Sequence, residues 1–458
     1  MKVQEISSLL RVTRQVFRIL REQEQTGWLL DEAKARQVLA ELNERAKELE
    51  AELRPSLPMV LKPKSRRPTW PQRQFKKDGT PTQAALKYYG EGHSKYRTDR
   101  IHDMEPLPLR SPQKVQEFLL TQGWVPTEWN YKKDEDGNKV RTSPKLTEDS
   151  FGSIKGETGQ KIAELRKIWS RGSDITRWLN NLRPDGRIPT PFSGKTVTHR
   201  LRHSVVVNVP GNDAFYGEQM RSLFIAPEGY SVVGCDSDSC QLRMLIHEMY
   251  AHGLANKEFE DALLYGSKDE GTDAHSINRD KVNIIMGDEV LTRQDAKTVF
   301  YASLFGGGVT RIQNILSSSR AVAEEVIVAF QKVLPELPDL KQKLNAQRKQ
   351  LGYVPAFDGR PLYIRSPHMT LVSLMQGDEA AAMEATLCWQ DREFKKRGLD
   401  AKQLIYYHDE TVVEAPNEQC PAVAQTMEEA IAWPSEFYGL NVPLTGSASI
   451  GRNWGEVH

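Results

Sequence analysis

Hydrophobic residues recur every three or four positions through most of the first 185 residues, which is the spacing of one buried face of an α-helix. Two such stretches lie on either side of Gly27 and end near residue 53, and Asp31 is placed to cap the second helix. Further stretches of the same kind occupy residues 111–124 and 159–182. The pattern therefore predicts a mainly helical region up to about residue 185.

The pattern changes to β-branched runs near residue 185. RHSVVVNVPG (202–211) and GYSVVGCD are bounded by Pro or Gly and predict buried strands. Residues from about 241 to 330 are again mainly helical in pattern, and LIYYHDETVVEA then predicts two short strands around a bend. Asp236 would thus end one strand and Asp409 would lie at a hairpin tip, with a helical insert between them.

The composition is that of a globular chain, with 39% hydrophobic and 27% charged residues. A length of 458 residues exceeds what one hydrophobic core usually fills, so we expect two or three subdomains. The N-terminal stretch has the spacing of an amphipathic helix rather than of a signal peptide or membrane span, and no membrane partner is expected. The four cysteines form no CxxC motif and have no His at ligand spacing, which predicts reduced thiols and no zinc site.

A basic segment from about residue 54 to 105 contrasts with a net charge of only +1. Ten Lys and Arg residues lie between Arg54 and Arg100, against three acidic residues, with aromatic residues and prolines among them. This composition favours a loop-rich insertion that contacts a phosphate backbone. A solvated linker is the alternative interpretation.

The stretch RQDAKTVFYASLFG predicts a helix with one unusual side, which the three glycines after it would end. The residues four apart on that side are Arg293, Lys297, Tyr301 and Phe305. The side starts cationic and ends aromatic. An ordinary surface helix is one interpretation, and a nucleotide site with phosphates at the cationic end and a base against the rings is the other.

Asp236 and Asp409 are two carboxylates that the predicted strands hold at their ends. Mg²⁺ prefers oxygen ligands on rigid backbone, so such a pair fits a site for two Mg²⁺ ions. Isolated aspartates at strand ends are otherwise caps or surface residues. Combined with the cationic helix, the pair indicates phosphoryl transfer to the end of a nucleic acid strand.

Three stretches resemble the sequence motifs of one enzyme family. VVGCDSDSCQLRMLIHEM resembles motif A of the family A DNA polymerases, RQDAKTVFYASLFGGG resembles motif B, and YYHDE resembles motif C. The similarity runs nearly end to end and is greatest to the replicative polymerases of short-tailed bacteriophages. It implies an α+β fold of the right-hand type. The parts implied are a helical thumb at 1–185 with the basic insertion, an antiparallel-sheet palm at 186–250 and 365–458, and helical fingers at 251–364.

The resemblance implies a template-directed DNA polymerase that adds dNTPs to a primer 3′ end during phage replication in the cytoplasm of the infected bacterium. Its cofactor would be two Mg²⁺ ions, with Mn²⁺ able to substitute. The catalytic residues implied are Asp236, Asp409 and Lys297, and the metal ligands are Asp236, the Ser237 carbonyl and Asp409. The dNTP-binding residues implied are Arg293, Lys297, Tyr301, His275 and Gln241. The primer–template residues implied are Gln376, His408, Phe305 and Arg243, and Glu410 would be a supporting residue.

The chain departs from the family pattern at several of these positions. Gln241 stands where the family has a Glu that blocks the ribose 2′-hydroxyl, so weaker sugar discrimination is expected. Phe305 replaces a Tyr, and Asp238 adds a carboxylate beside the implied metal site. These departures keep two alternatives open, namely a ribonucleotide-tolerant polymerase and an inactive polymerase fold that serves as a DNA-binding scaffold.

The partners implied are primer–template DNA and dNTPs. The phage relatives carry a 3′–5′ exonuclease domain before the thumb, whereas this sequence starts where the thumb starts and has no DxE pair ahead of it, so no intrinsic exonuclease is expected. A separate exonuclease polypeptide is then a further candidate partner. A processivity factor is another, because the basic segment lies where an insertion recruits one in the relatives.

Deleting residues 58–103 tests the role of the basic segment. We expect lower processivity and a weaker dependence of processivity on salt, because phosphate contacts would be lost, while single-nucleotide addition is retained. The measurement is product length on a long template at several salt concentrations. A collapse of single-nucleotide addition would instead make the segment structural.

Overall fold

The computed structural model describes residues 3–63, 71–90, 104–126, 128–134 and 137–457. The chain forms two compact units, one made of Met1–Arg36 together with Thr176–His458 and the other of Gln37–Ile175. The second unit is shorter than the predicted thumb. Residues 1–36 belong to the first unit because the helix they contain packs against its sheet.

Helices make up most of the described residues. They are α1 Val3–Thr26, α2 Glu32–Leu53, α3 Gln83–Tyr89, α4 Pro112–Thr121, α5 Glu148–Phe151, α6 Glu157–Asn180, α7 Gly217–Arg221, α8 Cys240–Ala251, α9 Lys257–Leu264, α10 Ala274–Met286, α11 Arg293–Leu304, α12 Val309–Leu316, α13 Arg320–Val333, α14 Glu336–Leu351, α15 Thr370–Arg397 and α16 Cys420–Tyr438. None of the helices in the part of the chain described here is long and apolar enough to cross a membrane.

The strands are short and antiparallel. They are β1 Trp28–Leu30, β2 Met59–Leu61, β3 Met104–Pro106, β4 Trp129–Lys133, β5 Lys139–Pro144, β6 Arg187–Ile188, β7 Phe192–Lys195, β8 Leu201–His203, β9 Phe224–Ile225, β10 Tyr230–Ser237, β11 Val354–Pro355, β12 Pro361–Leu362, β13 Lys402–Tyr407, β14 Glu410–Pro416 and β15 Gly446–Gly451. Together with the helices they give the predicted α+β fold class.

A four-stranded sheet in the order β13-β14-β10-β15 forms the centre of the first unit. Strand β10 pairs with β14 on one side and β15 on the other, in a register that sets Asp236 opposite Glu410. Helices α1, α8, α15 and α16 pack around this sheet. Its core includes Leu20, Met383 and Val413, all essentially inaccessible to solvent.

A second hydrophobic core in the same unit lies among helices α8 to α14. Phe300 on α11 is buried in it, together with Val326 on α13 and Leu340 on α14. Helix α15 contributes Leu371 and Leu374 from its first turns to this core, and Met383 further along to the core of the sheet. One long helix is therefore shared by both cores.

The second unit is built mainly from the later part of α2, α4 and the earlier part of α6. Leu49, Leu119 and Leu165 are fully buried there. Much of the basic segment, including residues 64–70 and 91–103, lies outside the described residues. In its described part, Thr82 caps α3 by accepting a hydrogen bond from the Ala85 N–H group.

Most of the predicted elements are confirmed. Helices α1 and α2 flank Gly27, and the Asp31 carboxylate accepts a hydrogen bond from the Lys34 N–H group at 2.9 Å. Strand β10 and the β13–β14 hairpin also lie where they were predicted.

The prediction of a strand at 202–211 was wrong, because strand β8 ends at His203. Val206 is nevertheless buried, and the Val205 carbonyl accepts a hydrogen bond from the Trp178 indole instead of from a neighbouring strand. Asn208 has a φ of 52°, which interrupts an extended chain. Here the β-branched run indicates burial but not a strand. Side chains, instead of a neighbouring strand, donate hydrogen bonds to its backbone.

Two buried carboxyl groups meet between α8 and α15. Asp378 is fully buried and accepts a hydrogen bond from the Phe357 N–H group, and Glu248 is its neighbour. Burial raises the pKa of both groups, and for Asp378 repulsion by Glu248 adds to the effect. The folded protein thus favours protonation of the pair more than the unfolded chain does.

Glu248→Gln should flatten the pH dependence of stability. A pKa that is raised in the folded state gives stability that is complete below the ordinary carboxyl pKa and is lost as the pH rises through the folded value. Removing one group removes up to about 1.4 kcal/mol per pH unit of that dependence. The measurement is the free energy of unfolding from about pH 5 to pH 9. The exposed Glu228→Gln is the control, and an unchanged slope in Glu248→Gln would contradict the interpretation.

Candidate active site

The sheet brings Asp236, near the end of β10, close to Asp409 in the turn between β13 and β14. The Ser237 N–H group donates to the Asp409 carbonyl at 3.0 Å, and Asp236 lies opposite Glu410 in the ladder. Burial raises the pKa of Asp409, and repulsion by Asp236 adds to the rise. The charge of Asp236 therefore opposes ionisation of Asp409.

This donor set fits a hard divalent cation. Carboxylate and carbonyl oxygens are the ligands that Mg²⁺ prefers, and a cation would relieve the repulsion that raises the Asp409 pKa. Among the described residues, no group of three or more His, Cys, Asp or Glu side chains is arranged to hold a metal. A metal here would thus depend on two carboxylates, backbone oxygens such as that of Ser237, and oxygens supplied by a substrate or water.

The Asp238 carboxylate is hydrogen-bonded to two residues at the start of β15. Its two carboxylate oxygens accept hydrogen bonds from Thr445 Oγ1 at 2.7 Å and Ser447 Oγ at 2.9 Å. The Asp238 carbonyl accepts from Arg243 Nε at 2.7 Å, and Arg243 also donates to the Pro443 carbonyl. Arg243 is buried beneath the turn, where it holds the backbone after Asp236 in place.

Helix α11 is fixed at both ends. Thr292 and Asp295 form a capping box at its start. Gly306, just beyond its end, has a φ of 76°, and a Cβ atom there would lie 2.9 Å from the His368 carbonyl oxygen. The prediction that glycine ends this helix is confirmed, and the close approach of the backbone is a reason why glycine is needed.

The predicted side of α11 exists in the structure. The rings of Tyr301 and Phe305 are stacked, with their centroids 6.0 Å apart, and Phe305 is 44% exposed. Lys297 is exposed one turn before Tyr301, and the His275 ring lies 5.9 Å from that of Tyr301. The cationic and aromatic positions are therefore available to a ligand.

Arg293 is oriented by a carboxylate at the start of α10. Its Nε and Nη2 groups donate to the two Asp273 oxygens at 3.1 and 2.9 Å. Burial opposes ionisation of Asp273, but hydrogen bonds from Arg293 and Ser276 bring its pKa well below the usual range. Burial lowers the pKa of His275, and the charges of Arg293 and Lys297 lower it further. Asp273 therefore balances the charge of Arg293, and Lys297 is the exposed cation on the first turns of α11.

The remaining predicted positions lie around the sheet. His408 occupies the β13–β14 turn with a φ of 62°, and burial followed by the charge of Arg200 lowers its pKa to about 4. Gln241 is in the first turn of α8, and Gln376 is partly buried on α15. The contacts thus group Asp236, Ser237, Asp409 and Arg243 at the sheet, and His275, Arg293, Tyr301 and Phe305 on α10 and α11.

Sequence reasoning assigned no role to Trp454, Arg200 or Glu379. Trp454 donates to the Glu410 carboxylate at 2.7 Å, and Arg200 forms two hydrogen bonds with the buried Glu379. The members of each pair are far apart in the chain, so no local sequence pattern reveals the contact.

Comparisons with known proteins show which family the chain resembles. The family model for DNA polymerase family A matches residues 91–456. The DNA-directed DNA polymerases of Enterobacteria phage T3 and Escherichia phage T7 are each 25% identical over 385 residues, covering 76% of this chain and 52% of each relative. DNA polymerase I of Pseudomonas aeruginosa is 25% identical over 367 residues and is covered over 38% of its length. The chain thus spans about half the length of the phage relatives.

Among solved structures, the POL domain of Pol1 from M. smegmatis, in complex with DNA primer-template and dNTP, matches with a TM-score of 0.72 at 20% identity. The match covers 97% of this chain and 70% of that one. The fold is therefore that of a polymerase domain. The family model covers most of the sequence, and the chain belongs to DNA polymerase family A.

Proposed function

We propose that this protein is a template-directed DNA polymerase that adds dNTPs to a primer 3′ end. The observation that carries the proposal is the placement of Asp236, on β10, beside the β13–β14 turn that holds Asp409: the Ser237 N–H group donates to the Asp409 carbonyl at 3.0 Å, and Asp236 contributes to the raised pKa of Asp409. Two hard-cation ligands, one on a strand and one in a tight turn of the same sheet, fit metal-assisted nucleotidyl transfer. Family membership supports the same reaction.

The metal ligands in this proposal are Asp236, Asp409 and the Ser237 carbonyl. Family A polymerases use divalent metal ions, and two bound Mg²⁺ ions would stabilise charge on the attacking and leaving oxygens. Arg243 holds the turn after Asp236, and Trp454 holds Glu410. The protein's contribution is a fixed separation of the two carboxylates.

The incoming dNTP would lie along α11. Its triphosphate fits the N-terminal end, where Arg293, Lys297 and the helix dipole are favourable for an anion. Arg293 uses Nε and Nη2 for Asp273, which fixes the plane of its guanidinium, so its Nη1 group would be the one to bind a phosphate oxygen. The base and sugar would lie near Tyr301, whose ring is stacked with that of Phe305. Lys297 would neutralise the leaving pyrophosphate and donate a proton to it.

Primer–template DNA is the proposed macromolecular partner, approached by Gln376 and His408. We retain the thumb, palm and fingers boundaries as a proposal. The separate cores around the sheet and among α8 to α14 support the division of palm from fingers. A processivity factor at the basic segment and a separate exonuclease polypeptide remain candidate partners. The phage relatives favour action in the infected bacterial cell.

Asp409→Asn tests the proposed function. We expect wild-type protein with Mg²⁺ and four dNTPs to extend a labelled primer, and the variant to be slower by at least about 100-fold because a metal ligand has lost its charge. Asp269→Asn, in an exposed turn, is the matched control and should extend normally. Extension by Asp409→Asn at the wild-type rate would reject the assignment.

Lys297→Ala should lower the rate of nucleotide addition by about 100-fold while changing DNA affinity little, because the charge acts on the leaving group. Single-turnover kinetics and a primer–template binding titration measure the two quantities separately. Lys297→Arg should recover part of the rate, and Gln294→Ala, exposed on the same helix, is the control. An equal loss in DNA affinity would place Lys297 on the DNA instead.

A further inference from the structure

The peptide link between Ser237 and Asp238 is held from both edges of β10. The Ser237 N–H group donates to the Asp409 carbonyl in the β13–β14 turn at 3.0 Å, and the Asp238 N–H group donates to the Thr445 carbonyl beside β15 at 2.9 Å. A peptide unit is planar and trans, so its C=O and N–H groups point in opposite directions. The hydrogen bond from Asp238 to Thr445 therefore directs the Ser237 carbonyl away from β15 and toward the side on which Asp409 lies.

The Asp238 side chain ties the same residue to the start of β15 twice more. Its carboxylate oxygens accept hydrogen bonds from Thr445 Oγ1 at 2.7 Å and Ser447 Oγ at 2.9 Å. Gly446, between these two, lies so close to β10 that a Cβ atom on it would be 3.1 Å from the Asp236 carbonyl oxygen. Hydrogen bonds to a charged acceptor are stronger than neutral ones, so the carboxylate reinforces a main-chain contact that already leaves little room for movement.

A third metal ligand is the alternative role for Asp238, since its carboxylate lies beside the proposed metal ligands in the chain. Its hydroxyl partners belong to the edge of β10 opposite to the one that pairs with β14. Each carboxylate oxygen already accepts a hydrogen bond, and two such donors stabilise the charged carboxylate without a cation. These contacts favour an anchoring role over direct coordination.

We propose that Asp238 is a positioning residue for the metal site: by anchoring itself to the start of β15, it keeps the Ser237 carbonyl directed to the side on which a divalent cation would bind. The inference rests on the proposed function, because it takes the Ser237 carbonyl as a metal ligand. It also gives a role to a carboxylate by which this chain departs from the family pattern.

Removing the two hydroxyl donors tests the proposal without changing the Asp238 carboxylate. Thr445 and Ser447 are exposed, so we expect Thr445→Val/Ser447→Ala to retain the fold. Its affinity for Mn²⁺, the probe ion, should fall by about tenfold, as is usual when a partner behind a metal ligand is lost. Electron paramagnetic resonance of the free ion measures this affinity on the protein alone, and the Mn²⁺ that Asp409→Asn no longer binds defines the site. Ser449→Ala, exposed on the same strand, is the matched control.

Two substitutions of Asp238 separate anchoring from direct coordination. Asn has the same shape, and its oxygen and its amide group can each bond one hydroxyl, but it has no charge. We expect Asp238→Ala to weaken Mn²⁺ binding as much as the loss of both hydroxyl groups does, and Asp238→Asn to recover most of the affinity. Combining Asp238→Ala with Thr445→Val/Ser447→Ala should cause no further loss, because one interaction is removed from both sides. Weak binding by Asp238→Asn beside normal binding by Thr445→Val/Ser447→Ala would make Asp238 a third metal ligand and overturn the proposal.

Amide hydrogen exchange gives a measurement that involves no metal. We expect the Asp238 N–H group to exchange faster by about tenfold in Thr445→Val/Ser447→Ala than in the wild-type protein, because its hydrogen bond to Thr445 opens more often. Unchanged exchange, or wild-type protein that binds no Mn²⁺ dependent on Asp409, would overturn the proposal. Lack of dNTP addition by the wild-type protein would instead overturn the proposed function, and the exchange and Mn²⁺ measurements would still decide the role of Asp238.

Discussion

The register between β10 and β14 is the constraint on which the rest of this site depends. Side chains on a strand alternate between faces, so a slip of one residue would turn Asp236 to the opposite side of the sheet. Strand β15 pairs with the other edge of β10 and leaves no simple way to slip. Gly234 allows Val457 to pack closely against β10, because a Cβ atom at this position would lie only 2.9 Å from Val457. The C-terminal residues therefore pin the strand that carries the candidate metal ligand.

Helix α15 carries the second constraint, which is electrostatic. It buries Asp378, Glu379 and Glu384 within two turns, and an unpaired buried charge costs several kcal/mol. Glu379 and Glu384 are matched by Arg200 and Arg360, while Asp378 shares its environment with another carboxyl group and favours the protonated form. These partners come from distant segments of the chain. The ion pairs thus hold these elements in one arrangement. Removing one partner would leave the charge of the other buried and unpaired, at its full desolvation cost.

The sequence predicted local structure well and long-range pairing poorly. Helix α11, strand β10 and the β13–β14 hairpin follow from periodicity and from glycine, and they are confirmed. The strand predicted at 202–211 was wrong, since burial and strand pairing are separate properties. The contact of Arg200 with Glu379 joins residues 179 positions apart, which no local pattern reveals. The roles assigned to the site residues remain predictions because they concern ligands rather than the fold.

The two groups of site residues differ in charge, and that difference determines what a ligand must offer. The sheet and its β13–β14 turn present the carboxylates Asp236 and Asp409, whereas α11 presents Lys297 together with Arg293, which Asp273 already binds. A nucleoside triphosphate with its divalent metal ions carries both cations and anions, so it satisfies the two groups at once. A nucleotide without metal would leave the sheet carboxylates opposed to its own phosphates. Under the proposed function, these charges would favour the metal complex of the nucleotide over the free nucleotide.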